Sequence, residues 1–240
     1  MAVRSFLKTG IPGFDELFIN GIPKSSIITL GGPSGCGKSS LAMQFLVEGA
    51  RKFNEPGLYI SLEDSKSSLL SSMSGYTWEL EKMERNKQIF FLDYPISEVD
   101  QFLQKENAVG ELISTMGIER VVIDSIMPIA LSFKGEDERQ SGLLNFISNI
   151  RKWKTTTFIV SEDTAQSADM IIPSTKYGIE KLTDGWVQLY YILDDKGNRE
   201  KAVEVIKMKG TTHALKKFKC SISNEGFTIF SKSVSTSSKK

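Results

Sequence analysis

Short apolar runs alternate with helical patterns along the first two thirds of the 240-residue chain. Runs rich in β-branched or aromatic residues predict five strands, at 27–30, 58–62, 89–92, 121–123 and 158–160. Apolar residues at helical spacing predict helices in the intervening segments, over 41–52, 99–116 and 143–150. Continuous apolarity favours strands buried on both faces, as in parallel sheets covered by helices. The alternation therefore predicts a doubly wound α/β domain with a mainly parallel central sheet.

The pattern changes after about residue 184. Strand-like segments follow at 186–193, 201–208, 218–222 and 227–230, the first two separated by a polar turn over 194–198. They predict a C-terminal antiparallel extension on one edge of the parallel sheet. Residues 231–240 are almost all Ser, Thr and Lys and predict a frayed, disordered tail. We therefore expect a single domain over 1–230, followed by that tail.

The composition excludes several classes of protein. A net charge of +1 leaves no domain-wide basic field for holding nucleic acid or an anionic membrane. Two cysteines, Cys36 and Cys220, and one histidine, His213, lack the spacing of a disulfide framework or a metal centre. No apolar run reaches the roughly 20 residues that span a bilayer, and the first eight residues lack the apolar core of a signal peptide. We expect a soluble protein in the reducing environment of the cytoplasm.

Residues 32–39, Gly-Pro-Ser-Gly-Cys-Gly-Lys-Ser, fit the Walker A pattern G-x-x-x-x-G-K-[ST]. A predicted strand precedes them and a predicted helix follows, so backbone N–H groups and the helix dipole would converge on an anion. Lys38 is expected to reach the β- and γ-phosphates, and Ser39 to bind Mg²⁺. The predicted nucleotide-binding residues of this loop are Gly32, Ser34, Gly35, Cys36, Gly37, Lys38, Ser39 and Ser40. The alternative is a chance glycine-rich turn.

Cys36 lies inside this loop. The main interpretation is a loop residue without a chemical role. Its place beside a helix N-terminus also favours a lowered pKa and oxidation of the thiol.

Acidic residues follow two of the predicted strands. Asp124 ends the strand at 121–123, where open α/β sheets present ligand-binding groups, and is predicted to hold Mg²⁺ as a Walker B residue. The alternative is a cap on the next helix. Glu63 and Asp64 follow the strand at 58–62 and are predicted to orient the attacking water or accept its proton. Here the alternative is that Asp64 or Ser65 caps a helix through 69–70.

Several segments together resemble the KaiC-type ATPase domain. They are TGIPGFDEL at 9–17, GIP at 21–23, the Walker A loop, EPGLYISLED at 55–64, VIDS at 122–125, KYGIE at 176–180 and KMKGTTH at 207–213. The resemblance covers about residues 5–230. It implies a RecA-like P-loop NTPase core, the cofactors ATP, ADP and Mg²⁺, and a ring, often a hexamer, with nucleotide held between neighbouring subunits.

The resemblance also implies roles for individual residues. The paired acids after the second core strand would catalyse hydrolysis, and here they are Glu63 and Asp64. The second position is commonly Glu in the family. Because Asp is one methylene shorter, Glu63 is favoured as the catalytic base. The segment 207–213 would reach the neighbour's nucleotide, with one lysine neutralising γ-phosphate charge in trans. Its implied contacts are Lys207, Met208, Lys209, Thr211 and His213.

The lysines have a second interpretation from the residues alone. A period of two predicts one strand face for four residues, Val203, Val205, Lys207 and Lys209. On that pattern by itself a solvated strand edge is favoured.

The chain departs from the clock proteins of this family in two respects. It has one such domain rather than two. Before the Thr183-Asp184 step, where the clock protein autophosphorylates a Ser-Thr pair, it has Glu180 and Lys181. The lack of a hydroxyl there argues against autokinase activity, and timekeeping does not follow from the resemblance.

Three functions remain open from the sequence. The leading one is an ATPase at the subunit interfaces of a homo-oligomer, acting as a regulatory switch, with an unknown protein partner as a further possibility. The second is a recombinase-like DNA-binding ATPase, but the loops at 131–140 and 161–176 mix acidic with basic residues. The basic cluster Lys216, Lys217 and Lys219 is better interpreted as a solvated face. The third is a nucleotide-binding regulator with negligible hydrolysis.

Overall fold

The computed structural model describes residues 5–163, 172–194 and 196–233. Strands in this part are β1 (Phe6–Leu7), β2 (Ile22–Pro23), β3 (Ile27–Gly31), β4 (Gly57–Ser61), β5 (Ile89–Asp93), β6 (Arg120–Asp124), β7 (Thr156–Val160), β8 (Gly185–Leu193), β9 (Arg199–Met208), β10 (Phe218–Ser223) and β11 (Gly226–Ser233). Helices are α1 (Lys38–Phe53), α2 (Lys66–Ser72), α3 (Leu80–Arg85), α4 (Val99–Gln104), α5 (Glu106–Met116), α6 (Met127–Ser132) and α7 (Glu136–Ile150). Short 3₁₀ turns lie at Asp15–Leu17, Ile96–Glu98, Arg151–Trp153 and Ile179–Lys181.

One nine-stranded sheet organises the fold, in the order β11-β10-β9-β8-β3-β7-β6-β4-β5. From β8 to β5 neighbouring strands pair in parallel, whereas β8, β9, β10 and β11 pair antiparallel. The predicted α/β fold with a C-terminal antiparallel extension is therefore confirmed. Strands β1 and β2 form a separate antiparallel pair, which two-residue strands do not reveal in a sequence pattern.

The parallel strands are buried on both faces because each face carries its own apolar layer. In β6, Val122 belongs to the layer that includes α1, while Val121 and Ile123 belong to the layer that includes α5 and α7. This is the alternation of side chains along a strand. On the α1 side, Phe45 stacks on Phe158 of β7 with ring centroids 4.2 Å apart. The two layers hold the carboxyl ends of β3, β4, β6 and β7 at one edge of the sheet.

Arg120, at the start of β6, ties the layers to the N-terminal segment. Its side chain is fully buried, and the guanidinium donates to the backbone carbonyls of Lys8 (2.7 Å), Thr9 (3.0 Å) and Phe45 (2.8 Å). It also forms an ion pair with Glu55 at 2.5 Å. Buried cations are tolerated when they are paired and hydrogen-bonded in this way.

The helix predicted over 99–116 is two helices, because the chain bends between α4 and α5. At Lys105 the backbone N–H donates to the carbonyls of both Gln101 and Phe102. The hydrophobic spacing does not reveal the bend, since Phe102 of α4 and Ile113 of α5 pack into one apolar layer across it. In the part of the chain that is described, no helix is both long and apolar enough to cross a bilayer.

The C-terminal strand is longer than its sequence pattern predicts. Strand β11 extends to Ser233, three residues into the segment for which a tail is predicted. Predictions that concern residues 1–4, 164–171, 195 and 234–240 lie outside the described residues.

Candidate nucleotide-binding site

The phosphate loop connects β3 to α1, as its sequence predicts. Three of its glycines have positive φ, at 150° for Gly32, 76° for Gly35 and 102° for Gly37. L side chains rarely adopt these conformations. Gly37 is also needed for space, because a Cβ there would lie 2.7 Å from side-chain atoms of Ile222 and Phe227. The loop therefore closes over the start of α1 in a form that only glycines permit.

Lys38 lies at the first position of α1 and is buried beneath the loop. Its ammonium donates to the backbone carbonyls of Gly32 (2.8 Å) and Pro33 (3.0 Å). The loop borders a cavity of about 380 Å³ that is also lined by Ser34, Gly35, Gly37, Ser39 and Ser40. The hydroxyl of Ser40 accepts a hydrogen bond from Tyr76 at 2.8 Å. These predicted residues are thus brought together, whereas Gly32 and Cys36 are not among the lining residues.

The thiol of Cys36 is buried, with 1% of the residue exposed. Burial raises its pKa, and the nearby Lys38 charge opposes this only in part. The expectation of a lowered pKa from the helix N-terminus is therefore wrong, because loss of hydration outweighs the dipole. Cys220 is also a buried free thiol, and burial raises its pKa to about 12.

Asp124 ends β6 and lines the cavity. Its carboxylate accepts a hydrogen bond from the hydroxyl of Tyr59. Burial raises the pKa of Asp124, while the hydroxyls of Tyr59 and Ser39 act in the opposite direction. Asp124 does not cap the next helix, because α6 has no side-chain cap at its start and the Met127 N–H donates to the Ser125 hydroxyl. The structure therefore removes the capping alternative.

Glu63 follows the end of β4 and lines the same cavity. Its carboxylate accepts a hydrogen bond from the hydroxyl of Ser125. Partial burial raises the pKa of Glu63, and the charges of Asp124 and Glu162 add to this effect. A carboxylate with a raised pKa beside a phosphate loop is suited to accept a proton from water.

Asp64 is exposed, as Glu63 is, but unlike Glu63 it does not line the cavity. Its backbone is held by the Ser61 hydroxyl, which donates to the Asp64 carbonyl at 2.7 Å. Ser65 is the N-cap of α2, accepting from the Ser68 N–H at 3.2 Å. The capping prediction is therefore right for Ser65, and the catalytic prediction for Asp64 stays a prediction.

The cavity contains residues that the sequence interpretation missed. Glu162 follows β7 and lines the cavity, and Ser125 orients Glu63. Their signal was available, because each comes within two residues of the end of a parallel strand, at the same sheet edge as Asp124. Glu162 lies in the segment 161–176, which is interpreted from sequence only as a candidate DNA-binding loop. The other proposed DNA loop, 131–140, is mostly helix, since α6 ends at Ser132 and α7 begins at Glu136.

The prediction that the lysines share a strand face with the valines is wrong, because β9 contains a bulge. Lys207 and Val205 pair with adjacent residues of β8, Trp186 and Val187, so one residue between them is extra. The extra residue reverses the alternation. Met208, rather than Lys207, joins the buried layer that contains Val205.

The segment 207–213 contacts its own subunit beside β8. The Lys207 ammonium donates to the carbonyl of Glu180 at 2.7 Å, and Lys209 lies 3.9 Å from Asp184. Burial lowers the pKa of Lys207, and the charge of Lys209 acts in the same direction. Further along, His213 forms an isolated antiparallel bridge with Phe18. None of the predicted residues in this segment, including Thr211, lines the described cavity of the phosphate loop.

A protein-family model for the ATPase KaiC matches residues 7–234. The chain belongs to the KaiC ATPase family. It is 29% identical over 231 residues to the circadian clock oscillator protein KaiC of Parathermosynechococcus lividus, covering 93% of this chain and 42% of that protein. KaiC 1 of Synechocystis is 27% identical, with 93% of this chain and 44% of that protein covered. The chain thus spans less than half the length of these curated relatives.

A solved structure gives the same result for the fold. The KaiC-like protein PH0186 of Pyrococcus horikoshii OT3 superposes with a TM-score of 0.81 at 29% identity, covering 95% of this chain and 100% of that chain. The fold is therefore of the RecA type found in that KaiC-like protein. Together with the phosphate loop, family membership supports an ATP-binding P-loop ATPase.

Proposed function

We propose that the chain binds ATP with Mg²⁺ and hydrolyses it to ADP and phosphate. One observation carries this proposal: Lys38 of the phosphate loop, Asp124 and Glu63 border the same cavity. An anion-binding loop, a metal-binding carboxylate and a base are the parts that phosphoryl transfer to water requires. The cavity brings them together from three separate elements, β4, β6 and α1.

Ser39 and Asp124 would hold Mg²⁺. Both residues line the cavity, and hydroxyl and carboxylate oxygens are ligands that Mg²⁺ prefers. When bound, the ion neutralises charge on the phosphates. Tyr59 orients the carboxylate from the buried side, so Asp124 presents its remaining lone pairs to the cavity.

Glu63 would orient the attacking water and accept its proton. The Ser125 hydroxyl fixes one carboxylate oxygen, which leaves the other for water. Asp64 is the second acid of the pair and adds negative charge near Glu63. Because that charge raises the pKa of Glu63, it makes Glu63 a better proton acceptor.

We further propose that the chain works as a cytoplasmic homo-oligomeric ring, of which the hexamer is the expected form. Lys207 and Lys209 would act on the neighbour's nucleotide, with Met208, Thr211 and His213 as further contacts. Support comes from their position, because both lysines contact residues 180–184 of their own subunit rather than its phosphate-loop cavity. Assembly that depends on ATP would make the ring a regulatory switch.

The test couples phosphate release to light scattering with and without ATP and Mg²⁺. Glu63→Gln should lower kcat at least about 100-fold while ATP binding is retained, as expected for loss of a general base. Lys38→Ala should in addition weaken ATP binding by about 10- to 100-fold. If Glu63→Gln turns over ATP at the wild-type rate, the carboxylate is structural and the chain is a nucleotide-binding regulator of another kind.

Mixing tests whether the sites are shared. Lys207→Ala and Glu63→Gln subunits should each be inactive alone, and mixed rings should recover part of the activity. A mixture that stays inactive at every ratio contradicts catalysis in trans.

A further inference from the structure

A chain of polar side chains crosses the sheet beside the phosphate loop. Gln188 of β8 is fully buried, and its amide donates to the carboxylate of Asp163, just beyond β7, at 2.5 Å. The indole of Trp186 donates to the Gln188 amide oxygen at 2.9 Å. A buried glutamine is rarely found without such partners on both sides of its amide. The three side chains thus link the end of β7 to the start of β8.

The link passes over β3 at Gly31, the residue that leads into the phosphate loop. A Cβ on Gly31 would lie 2.3 Å from the Gln188 amide oxygen and 3.3 Å from a carboxylate oxygen of Asp163. Gly31 is not among the glycines with positive φ, so its lack of a side chain makes room for this contact rather than for a turn. The polar side chains therefore lie against the residue at which β3 ends and the phosphate loop begins.

Asp163 is also electrostatically close to the loop. One of its oxygens is buried and has no hydrogen-bond partner among the described residues. Burial raises the pKa of Asp163 to about 6, and the Lys38 charge opposes that rise. The carboxylate is therefore sensitive to where the Lys38 ammonium lies.

A second route joins Asp163 to Lys207. Asp163 forms a backbone bridge with Thr175, whose hydroxyl donates to the carboxylate of Glu180. The Glu180 carbonyl accepts from the Lys207 ammonium at 2.7 Å. Lys207 is in turn the cross-strand partner of Trp186. One route runs from Asp163 through Gln188 and Trp186 to Lys207, and the other runs from Asp163 through Thr175 and Glu180 to Lys207. We call this closed ring of contacts the circuit.

We propose that Asp163 and Gln188 are positioning residues that couple the phosphate loop of a subunit to its own Lys207. Buried side chains that hydrogen-bond one another in a low dielectric have few alternative arrangements. A shift of the loop at Gly31 therefore moves Gln188 and Trp186, and with them the backbone that carries Lys207. This rests on the proposed function, in which Lys207 serves the neighbouring nucleotide. Nucleotide binding at one site then changes the position of the lysine that serves the neighbouring site, which is a coupling between sites.

The first experiment separates positioning from binding. Gln188→Leu keeps the side-chain volume and removes all three hydrogen bonds of the Gln188 amide, to Trp186, Asp163 and the Leu189 carbonyl. We expect kcat to fall about tenfold, within the range for mutations in coupling networks, with ATP affinity unchanged. Tyr190→Phe is the matched control, because it removes a hydroxyl on the same strand that donates to Glu204 at 2.8 Å and makes no hydrogen bond to a member of the circuit. We expect its turnover to equal that of the wild type. Equal losses in both variants would overturn the proposal.

The second experiment asks on which site Gln188 acts. In mixed rings of Gln188→Leu and Glu63→Gln, the intact Glu63 sites receive Lys207 from neighbours with an intact circuit, so activity per site should recover. No recovery, in a preparation where Lys207→Ala does recover with Glu63→Gln, overturns the proposal and leaves the proposed function standing. If the Lys207→Ala mixture also fails, or the wild type does not hydrolyse ATP, the proposed function fails and the coupling fails with it.

A second variant covers loss of folding by Gln188→Leu. Asp163→Asn preserves shape and a hydrogen bond to Gln188 but removes the charge beside Lys38. We expect its kcat to fall several-fold, within the same range, and to recover in mixtures with Glu63→Gln. Wild-type turnover by Asp163→Asn would overturn the coupling as stated.

Discussion

Removal of the buried cation at Arg120 should destabilise the fold more than most single substitutions. Arg120→Met keeps a long apolar stem against the ring of Phe45, over which the guanidinium lies at 4.7 Å. It removes five hydrogen bonds, three of them to backbone carbonyls and two to Glu55. The carboxylate of Glu55 then stays with only 12% of its side chain exposed and without its main partner.

The magnitude follows from that geometry. Removing one partner of a buried ion pair costs about 3–5 kcal/mol. Lys24 lies 3.3 Å from the Glu55 carboxylate and stabilises part of the remaining charge, so we expect about 3–4 kcal/mol in the free energy of unfolding. For a chain of this size that corresponds to a fall in Tm of about 10 °C.

Urea denaturation monitored by tryptophan fluorescence measures this loss. The matched control is the double variant Arg120→Met with Glu55→Gln, which removes the unpaired charge and should recover at least about 1 kcal/mol. A single variant that loses less than about 1 kcal/mol, the level of an ordinary surface change, would refute the reasoning. So would a double variant that is no more stable than the single one.

Three further predictions concern titration, thiol exposure and capping. Burial raises the pKa of Asp163 to about 6. The contribution of the Asp163 carboxyl to the free energy of unfolding is therefore fully present below the ordinary pKa of an aspartate and is lost as pH rises through 6. Asp163→Asn should therefore be more stable than wild type at pH 7 by about 1–2 kcal/mol after allowance for solvent screening, an advantage that shrinks toward pH 5 in urea titrations. Cys36 and Cys220 should react with a thiol reagent at native pH only as fast as the fold opens, which absorbance kinetics with and without urea measures. Ser65→Ala should cost about 1 kcal/mol in urea unfolding.

The parallel core and the phosphate loop were predictable because their signals are local. Continuous apolar runs mark strands that are covered on both faces, and the loop at 32–39 carries its conformation in its own glycines. Asp124 and Glu63 were predictable for a related reason: residues directly after parallel strands meet at one edge of the sheet. The sequence position of each was sufficient to place it.

The remaining features depend on contacts between distant segments. Gln188 looks like one polar residue in a strand, and its partner Asp163 is 25 residues away. The bulge before Lys207 shows in the sequence only as two adjacent apolar residues, Val205 and Ile206, a pattern that a strand buried on both faces also gives. The break at Lys105 falls within an unbroken helical spacing. Cys36 illustrates competing effects, because burial by the folded chain outweighs the helix dipole that its sequence position suggests. These features needed the packed structure.

Calorimetric titration of the wild type and Lys38→Ala with ATP and Mg²⁺ tests most directly whether the loop binds a triphosphate. We expect saturable binding by the wild type and a loss of affinity of about 10- to 100-fold in Lys38→Ala, the range for a charged hydrogen bond of about 1.5–3 kcal/mol. Glu63→Gln should bind as the wild type does, which separates binding from chemistry. No measurable binding by the wild type, or equal affinity in Lys38→Ala, would contradict the assignment of the loop as a triphosphate site.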